Sequence, residues 1–251
     1  MDMNSSIEKA MILAAGEGVR LRPLTSETPK SLLAVGNTPI IMHQLRWLKS
    51  YGIRKVAINL YHQCDKIRLE LGDGEDFGMD IYYSPEEALL GTAGGVKRME
   101  SFFITTFYVI YGDTISDVNL SSMAEFHRLK QAAMTIALFE TANTWETGVC
   151  EINEDGRLIS FTEKPTKGEE HSNLSNGGIY ILEPEILKYI PGGNTSDFGY
   201  DILPRLIEEN IPVHGYLLGP DAYLIDIGTI EKYNQANIDI YAGKVKILDE
   251  E

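Results

Sequence analysis

The sequence predicts an α/β fold built around a mostly parallel, mixed β-sheet in a single domain over residues 1–251. Two observations carry this prediction. Short apolar runs alternate with segments whose apolar residues recur at helical spacing, which is typical of βαβ units. The runs themselves are continuous rather than alternating, as expected of strands covered on both faces of a parallel sheet.

The first half of the chain supplies the parallel part. Residues 9–14 form an apolar run that stops at a glycine-containing loop, and we expect that polar loop to extend to about residue 35. A helix is expected after Pro39, because apolar residues recur at helical spacing until Gly52. Further strands are expected at residues 55–60, 81–83 and 107–110, and helices at 66–71 and 120–130.

The second half is expected to add antiparallel strands. After a strand at residues 134–139, two apolar runs within residues 148–161 flank the turn Asp155-Gly156, which predicts a hairpin. The remaining expected elements are strands at residues 178–182 and 213–217 and helices at 202–209 and 229–241.

Composition excludes several classes of protein. The net charge of −15 argues against a nucleic-acid binder, which needs a basic surface. Only Cys64 and Cys150 are present, too few for a disulfide framework, so a reducing, cytoplasmic setting is expected. No apolar run approaches membrane-spanning length and the start lacks a targeting pattern. We expect no membrane association, and disorder over residues 1–8.

The loop after the first strand is the richest segment for function. Its small residues let backbone N–H groups approach an anion, which predicts a phosphate cradle. A Walker loop is excluded because no Gly-Lys-Ser/Thr closes it, and Leu21 stands where a dinucleotide-binding pattern needs a small residue. Basic residues cluster here in an acidic chain, at Arg20, Arg22 and Lys30. They could neutralise a phosphate ligand, or be ordinary solvated side chains of a surface loop.

Two aspartates suggest a metal site. Asp113 follows an apolar strand and a glycine, and Asp226 follows the apolar run of residues 223–225. Both are expected at the carboxyl end of the sheet, where α/β proteins bind ligands, and paired carboxylates suit Mg²⁺. Each alone could instead be a turn or helix-capping residue, and Asp226 could cap the helix near Thr229.

Residues 13–25 with Pro29-Lys30 resemble the pattern of the sugar-1-phosphate nucleotidyltransferase family. The resemblance continues in order along the chain, over residues 11–237. Departures are small: Val19, Ser31 and Gly177 stand where the family often has Thr, Pro and Ala. The later blocks are Leu90-Gly91-Thr92-Ala93-Gly94, Gly112-Asp113, Glu163-Lys164-Pro165, Asn176-Gly177-Gly178-Ile179-Tyr180 and Asp226-Ile227-Gly228-Thr229.

The resemblance implies a Rossmann-like, three-layer α/β/α domain that joins a nucleoside triphosphate (NTP) to a sugar 1-phosphate. Arg20 and Lys30 would be catalytic, and Asp113 and Asp226 would hold Mg²⁺. The implied nucleotide-binding residues are Leu13, Ala14, Ala15, Gly16, Gly18, Gly91 and Thr92. The implied sugar-phosphate-binding residues are Gly148, Glu163, Lys164 and Asn176.

Two of these glycines have structural alternatives. Gly91 could be a helix-start glycine, and Gly148 could be a glycine at the entry of a strand.

Three further matters stay open at this stage. The substrates are expected to be GTP and mannose 1-phosphate or a manno-configured relative, with UTP or dTTP and glucose 1-phosphate as the alternative. A non-catalytic regulatory subunit and a nicotinamide-dependent dehydrogenase are the rival classes; the intact charged set disfavours the first, and the missing third glycine the second. The chain is expected to lack a C-terminal β-helix domain, and homo-oligomers are possible.

Overall fold

The computed structural model describes residues 6–168 and 170–245. Within them, strands β1–β13 are, in order, Lys9–Leu13, Ala34–Val35, Thr38–Pro39, Lys55–Leu60, Asp80–Pro85, Phe107–Tyr111, Thr114–Ser116, Met134–Glu140, Gly148–Ile152, Leu158–Glu163, Leu174–Leu182, Val213–Leu217 and Leu224–Asp226. Helices α1–α6 are Ile40–Ser50, Cys64–Leu71, Gly91–Arg98, Leu120–Leu129, Leu203–Glu208 and Ile230–Tyr241. One π-helical turn, Phe198–Ile202, leads directly into α5.

The described chain divides into two compact units. Unit 1 comprises the described residues of Met1–Leu89, Ile110–Val118 and Asp221–Glu251, and unit 2 those of Leu90–Val109 and Asn119–Pro220. Residues 1–5 lie outside the described residues, so the expected disorder there is untested, whereas the Glu8 carbonyl already accepts hydrogen bonds from Arg54 and Lys55. The expectation of a single domain stays a prediction.

In unit 1, strands β1, β4 and β5 lie side by side in that order, and residues 110 and 111 at the end of β6 belong to the same unit. The β1–β4 and β4–β5 pairs are parallel, with Ile12 opposite Ile58 and Ile58 opposite Tyr83. Ala10, Met11 and Ile12 are fully buried, as the continuous apolar run predicts for a covered strand. Two short antiparallel pairs, β2–β3 and β7–β13, complete the unit.

A buried apolar cluster fixes the loop of unit 1. Leu21 is fully buried in it, together with Ile115 of β7 and Ile227, which follows β13. Since these three residues come from three distant segments, their packing holds the loop beside the β7–β13 pair. The other buried members are Leu33, Val35, Ile40, Ala236 and Val245.

In unit 2, β8 lies between β11 and β12, and β9 lies between β11 and β10. Only the β8–β12 pair is parallel; the other three pairs named here are antiparallel. The expected hairpin at residues 148–161 is therefore confirmed, with Gly156 at φ +78° in its turn. With the parallel sheet of unit 1, the α/β class and the mostly parallel mixed sheet are confirmed.

Several elements differ from the expectation. Residues 34–39 form the β2–β3 pair at the end of the expected polar loop, β7 was not expected, and α3 was anticipated only by the helix-start alternative for Gly91. The helix expected at residues 202–209 is preceded by the π-helical turn from Phe198, which Asp197 caps by accepting hydrogen bonds from the amides of Gly199 and Tyr200. The last helix begins at Ile230, because Thr229 is its cap and accepts a hydrogen bond from the Lys232 amide.

Candidate functional site

Hydrogen bonds fix the backbone where the predicted phosphate loop begins, directly after β1. The Leu13 carbonyl accepts a hydrogen bond from the Gly112 amide, at 2.9 Å. The Ala14 amide donates to the Asn59 side-chain oxygen at 2.8 Å, and the buried Asn59 amide nitrogen donates to Glu86. The Ala14 N–H is therefore used within the chain, and Asn59 is an anchor that sequence reasoning missed.

Further along the loop, glycines create two different environments. Gly16 has no atom within 4 Å of the position a Cβ would occupy, so its backbone is open. Gly18 has φ +65°, and a Cβ there would lie 2.9 Å from Thr25. Thr25 in turn donates to the Gly18 carbonyl at 2.8 Å, and a Gly18 Cβ would also lie 3.2 Å from the Lys30 Cβ. The glycine thus lets the loop close onto Thr25 and Lys30.

Lys30 and Asp113 form an ion pair, although 83 residues separate them. Both side chains are largely buried, with 15% and 23% of their surface exposed. Asp113 is placed at the end of β6, where Gly112 approaches Leu13 so closely that a Cβ would meet the Leu13 carbonyl at 2.6 Å. The sequence-predicted catalytic lysine and one predicted metal ligand therefore lie together.

The second aspartate lies beside the first. The Ile227 amide donates to the Asp113 carbonyl at 2.9 Å, and Asp226 is paired with Thr114 across β13 and β7. Asp226 does not cap α6; its side chain accepts from the Gly228 amide at 3.0 Å and from the Lys232 ammonium at 2.6 Å. The two predicted metal ligands therefore lie on neighbouring strand segments of unit 1.

Opposing influences set the protonation of Asp226. Burial acts to raise its pKa, but the hydrogen bond and charge of Lys232 outweigh burial, assisted by the Gly228 amide and the charge of Lys30. The pKa of Asp226 consequently lies below its usual value, and the carboxylate is ionised at neutral pH.

Arg20 completes this group in unit 1. A Cβ added to Gly228 would lie 2.9 Å from the Arg20 Nη2 atom and 2.7 Å from the Asp226 carboxylate. The guanidinium therefore lies against Gly228, close to Asp226. Arg20, Lys30, Asp113 and Asp226 are thus brought into one region, which we call the charged site; Lys232, which the sequence analysis missed, belongs to it.

The donor set of the charged site fits a divalent cation that shares its ligands with phosphate. In the part of the chain that is described, no three His, Cys, Asp or Glu side chains gather into a metal-binding group. Mg²⁺ does not need such a group, because it commonly uses one or two carboxylates, water and substrate phosphates. Asp113 and Asp226 offer that smaller set.

The predicted sugar-phosphate residues lie in unit 2, where the Glu163 carboxylate is packed closely against two glycines. Gly148 and Glu163 are opposite each other across β9 and β10. A Cβ on Gly148 would lie 2.4 Å from Phe161 and 2.8 Å from the Glu163 carboxylate, and one on Gly199 would lie 2.6 Å from that carboxylate. Gly148 does begin β9, so its structural role as a strand-entry glycine holds.

The environment of Glu163 disfavours its charge. Burial raises its pKa above the usual value; the nearby Lys164 opposes this shift and Asp197 adds to it. The Lys164 ammonium is 3.8 Å from the carboxylate and its side chain is half exposed. Lys164 has φ +47°, a conformation uncommon for a residue with a side chain, and its amide bonds to the Thr147 carbonyl.

Asn176 is placed at an irregularity in β11. The register with β8 shifts between Asn176 and Tyr180, and the Asn176 side chain spans the shift. Its nitrogen donates to the Tyr180 hydroxyl at 2.6 Å, and its oxygen accepts from the Gly178 amide. The side chain thus stabilises the bulge, and its predicted contact with a sugar stays a prediction.

Gly91 and Thr92 begin α3, as the helix-start interpretation of Gly91 predicts. Gly91 has φ +76°, and a Cβ there would lie 2.4 Å from the Ser196 carbonyl. The Thr92 hydroxyl donates to Asp197 at 2.7 Å and accepts from the Phe198 amide at 2.9 Å. Thr92 therefore ties α3 to the π-helical turn, and Asp197 is another residue that the sequence analysis missed.

Comparison with known proteins extends these observations. The sequence pattern of the family described as "Nucleotidyl transferase" matches residues 9–243. The chain is 34% identical to the UTP–glucose-1-phosphate uridylyltransferase of Synechocystis sp., over 95% of this chain and 64% of that protein. It is 29% identical to the mannose-1-phosphate guanylyltransferase of Mycobacterium tuberculosis, over 93% and 65%. The chain thus spans less than two thirds of these relatives' length.

A solved structure agrees with the family match. The fold matches a candidate glucose-1-phosphate thymidylyltransferase from Bacillus anthracis with a TM-score of 0.85 and 25% sequence identity, covering 97% of each chain. None of the helices among the described residues is both long enough and apolar enough to span a bilayer.

The family match and these relatives show that the chain belongs to the nucleotidyl transferase family, as its resemblance to sugar-1-phosphate nucleotidyltransferases predicts.

Proposed function

We propose that this chain transfers a nucleoside monophosphate from an NTP to a sugar 1-phosphate, which forms an NDP-sugar and pyrophosphate. The charged site of unit 1 carries the proposal. Three cationic side chains, Arg20, Lys30 and Lys232, lie beside two carboxylates in a chain whose net charge is −15. Such a local concentration of positive charge suits a polyphosphate and the charge that develops on it during transfer.

The reaction needs little from the protein besides position and charge. A phosphate oxygen of the sugar 1-phosphate attacks the α-phosphorus, a new P–O bond forms, and the bond to the leaving pyrophosphate breaks. Because that oxygen is already an anion at neutral pH, no general base is required. Lys30 would stabilise negative charge at the α-phosphate, and Arg20 would hold the outer phosphates.

Members of this family generally use a divalent metal ion, and we propose Mg²⁺ here. Asp113 and Asp226 would hold the ion together with phosphate oxygens of the NTP. When bound, the ion would neutralise charge on those oxygens.

Unit 2 would supply recognition of the sugar phosphate. Glu163 would accept hydrogen bonds from sugar hydroxyls, and Lys164 would bind the sugar phosphate with its half-exposed ammonium group. Gly148 supports this role, because its lack of a side chain lets the Glu163 carboxylate lie against the backbone in a defined position. Gly91 and Thr92 would border the base.

For the substrates we propose GTP and mannose 1-phosphate or a manno-configured relative. The alternative is UTP or dTTP with glucose 1-phosphate. The relatives support both choices, since one is a guanylyltransferase for mannose 1-phosphate and another a uridylyltransferase for glucose 1-phosphate. A cytoplasmic setting and a possible homo-oligomer remain predictions.

A screen of pyrophosphate release tests the proposal. ATP, CTP, GTP, UTP and dTTP are each combined with a panel of sugar 1-phosphates, with and without Mg²⁺. We expect release in at least one pairing, only with the metal, and greatest with GTP and mannose 1-phosphate. No release in any pairing would instead favour a non-catalytic, regulatory nucleotide-sugar-binding subunit.

A further inference from the structure

Each carboxylate proposed to hold the metal is paired with a lysine. Lys30 of the loop pairs with Asp113, and Lys232 of α6 pairs with Asp226 at 2.6 Å. Asp226 and Lys232 are six residues apart, and 38% and 30% of their side-chain surfaces are exposed. The two lysines thus carry two positive charges where one divalent cation would carry the same charge.

The position of Lys232 within α6 is electrostatically unfavourable by itself. Thr229 caps the helix and accepts a hydrogen bond from the Lys232 amide, so Lys232 lies in the first helical turn. The positive end of the helix dipole lies there and disfavours a cationic side chain. The ion pair with Asp226 therefore provides a compensating attraction for the ammonium group, while the capped backbone stays fixed.

A cation that takes Asp226 would remove that attraction. The ammonium group would then be repelled by both the bound cation and the helix dipole, and its nearest new partner would be a negatively charged phosphate. Its partly exposed, flexible side chain can make this turn without a change in the helix.

We propose that Lys232 occupies the place of the divalent cation at Asp226 and turns to the triphosphate when the cation binds. Lys232 is thus proposed as a further triphosphate-binding residue of the charged site. The second half of this inference rests on the proposed function; the first half concerns cation binding alone.

The first test measures Mn²⁺ binding to the substrate-free protein by electron paramagnetic resonance. Lys232→Met removes the competing charge but keeps the length of the side chain, so Mn²⁺ should bind about two- to fivefold more tightly. Lys244→Met is the matched control, because Lys244 pairs with Asp239 at 2.7 Å in the same unit and carries the same charge. Unchanged or weaker binding by Lys232→Met, relative to this control, would overturn the proposal.

The second test measures nucleotide binding by calorimetry with Mg²⁺ and no sugar 1-phosphate, so that no turnover occurs. Lys232→Met should weaken binding of GTP or UTP about three- to tenfold and leave GMP or UMP unchanged, since only the triphosphates reach the ammonium group. Lys232→Arg, which keeps the charge, should restore most of the affinity. If Lys232→Met changes the affinity for triphosphate and monophosphate equally, or changes neither, the proposal that Lys232 turns to the triphosphate is wrong.

The two tests separate this inference from the proposed function. If no NTP binds to the wild-type protein, the proposed function and the second half fail together. The Mn²⁺ measurement still decides whether Lys232 competes with a cation at Asp226.

Discussion

Unit 1 and unit 2 each surround a carboxylate, but with different neighbours. In unit 1, Asp113 and Asp226 are each paired with a lysine, and Arg20 lies next to them. In unit 2, the Glu163 carboxylate lies so close to Gly148 and Gly199 that a Cβ at either position would come within 2.8 Å or 2.6 Å of it. The pKa of Asp226 is lowered, whereas the pKa of Glu163 is raised.

Under the proposed function, the two environments would suit two different parts of the substrates. A polyphosphate carries several charges and is recognised best by charge, which tolerates small displacements. A sugar is neutral and has many hydroxyl groups of similar chemistry, so its recognition needs a hydrogen-bonding group at a fixed position. We therefore expect the loss of a charged side chain to lower turnover most in unit 1. In unit 2, we expect added side-chain volume to have the larger effect, on stability.

The largest effect is expected for Lys30→Ala. Loss of the ammonium group removes charge stabilisation in the transition state, and turnover should fall about 10²–10³-fold, or roughly 3–4 kcal/mol. Affinity for the sugar 1-phosphate should change much less, because Lys30 belongs to unit 1. Steady-state pyrophosphate release measures both quantities, with Lys244→Ala as a charge control. A Lys30→Ala enzyme of wild-type speed would exclude Lys30 from the mechanism.

A smaller effect is expected for Gly148→Ala. The added methyl group would lie 2.4 Å from the Phe161 ring, so the ring must move, and the free energy of unfolding should fall by about 1–3 kcal/mol. Chemical denaturation measures this change. Gly192→Ala is the control, because no atom lies within 4 Å of its added Cβ.

A second variant identifies the cause of the Gly148→Ala loss. If the clash with the ring is responsible, Phe161→Leu combined with Gly148→Ala should be more stable than the sum of the two single changes predicts. Strictly additive changes in the free energy of unfolding would mean that contact with the Phe161 ring does not cause the loss of stability.

The smallest effect, and one of the opposite sign, is expected for Glu163→Gln. Since the pKa of Glu163 is raised in the folded protein, ionisation of this buried carboxyl costs stability as the pH rises through that pKa. The glutamine variant does not ionise, so it should unfold at a higher temperature than wild type at pH 7. The advantage should vanish below the usual pKa of 4.5, where both side chains are neutral in the folded and unfolded chains. An advantage that is independent of pH would contradict this account.

Local sequence patterns predicted much of the fold. Strands β4 and β12 have the predicted bounds; Pro212 precedes β12 and Gly219-Pro220 follow it, and polar residues flank β4. Helix α3 was anticipated only by the helix-start alternative for Gly91, since the sequence Gly-Thr-Ala-Gly-Gly has low helix propensity; the helix is held there by close packing of Gly91 and Gly94 on the backbone near Ser196. Strand β7 has three residues and a partner more than a hundred residues away, so no local pattern announces it.

The candidate site was predictable in its residues more than in its pairings. A strand end and a family pattern point to Asp113, yet its partner Lys30 is fixed only by the folded chain. The pairing of Lys232 with Asp226 was only weakly indicated by the local sequence, in which Lys232 follows Asp226 by six residues and the capping residue Thr229 lies between them. No local pattern indicated the role of Asn59. That role depends on the Ala14 backbone amide and the Glu86 side chain, which the fold brings to Asn59 at the ends of β1 and β5.

Asn59 makes one position of strand β4 chemically demanding. Its side-chain oxygen accepts a hydrogen bond from the Ala14 amide and its nitrogen donates one to Glu86, and only a carboxamide of this length does both. An isosteric aspartate would keep the first bond but bring two buried carboxyl groups within 2.8 Å, so one would retain its proton. The start of the phosphate loop would then respond to pH, although no residue of the loop itself had changed.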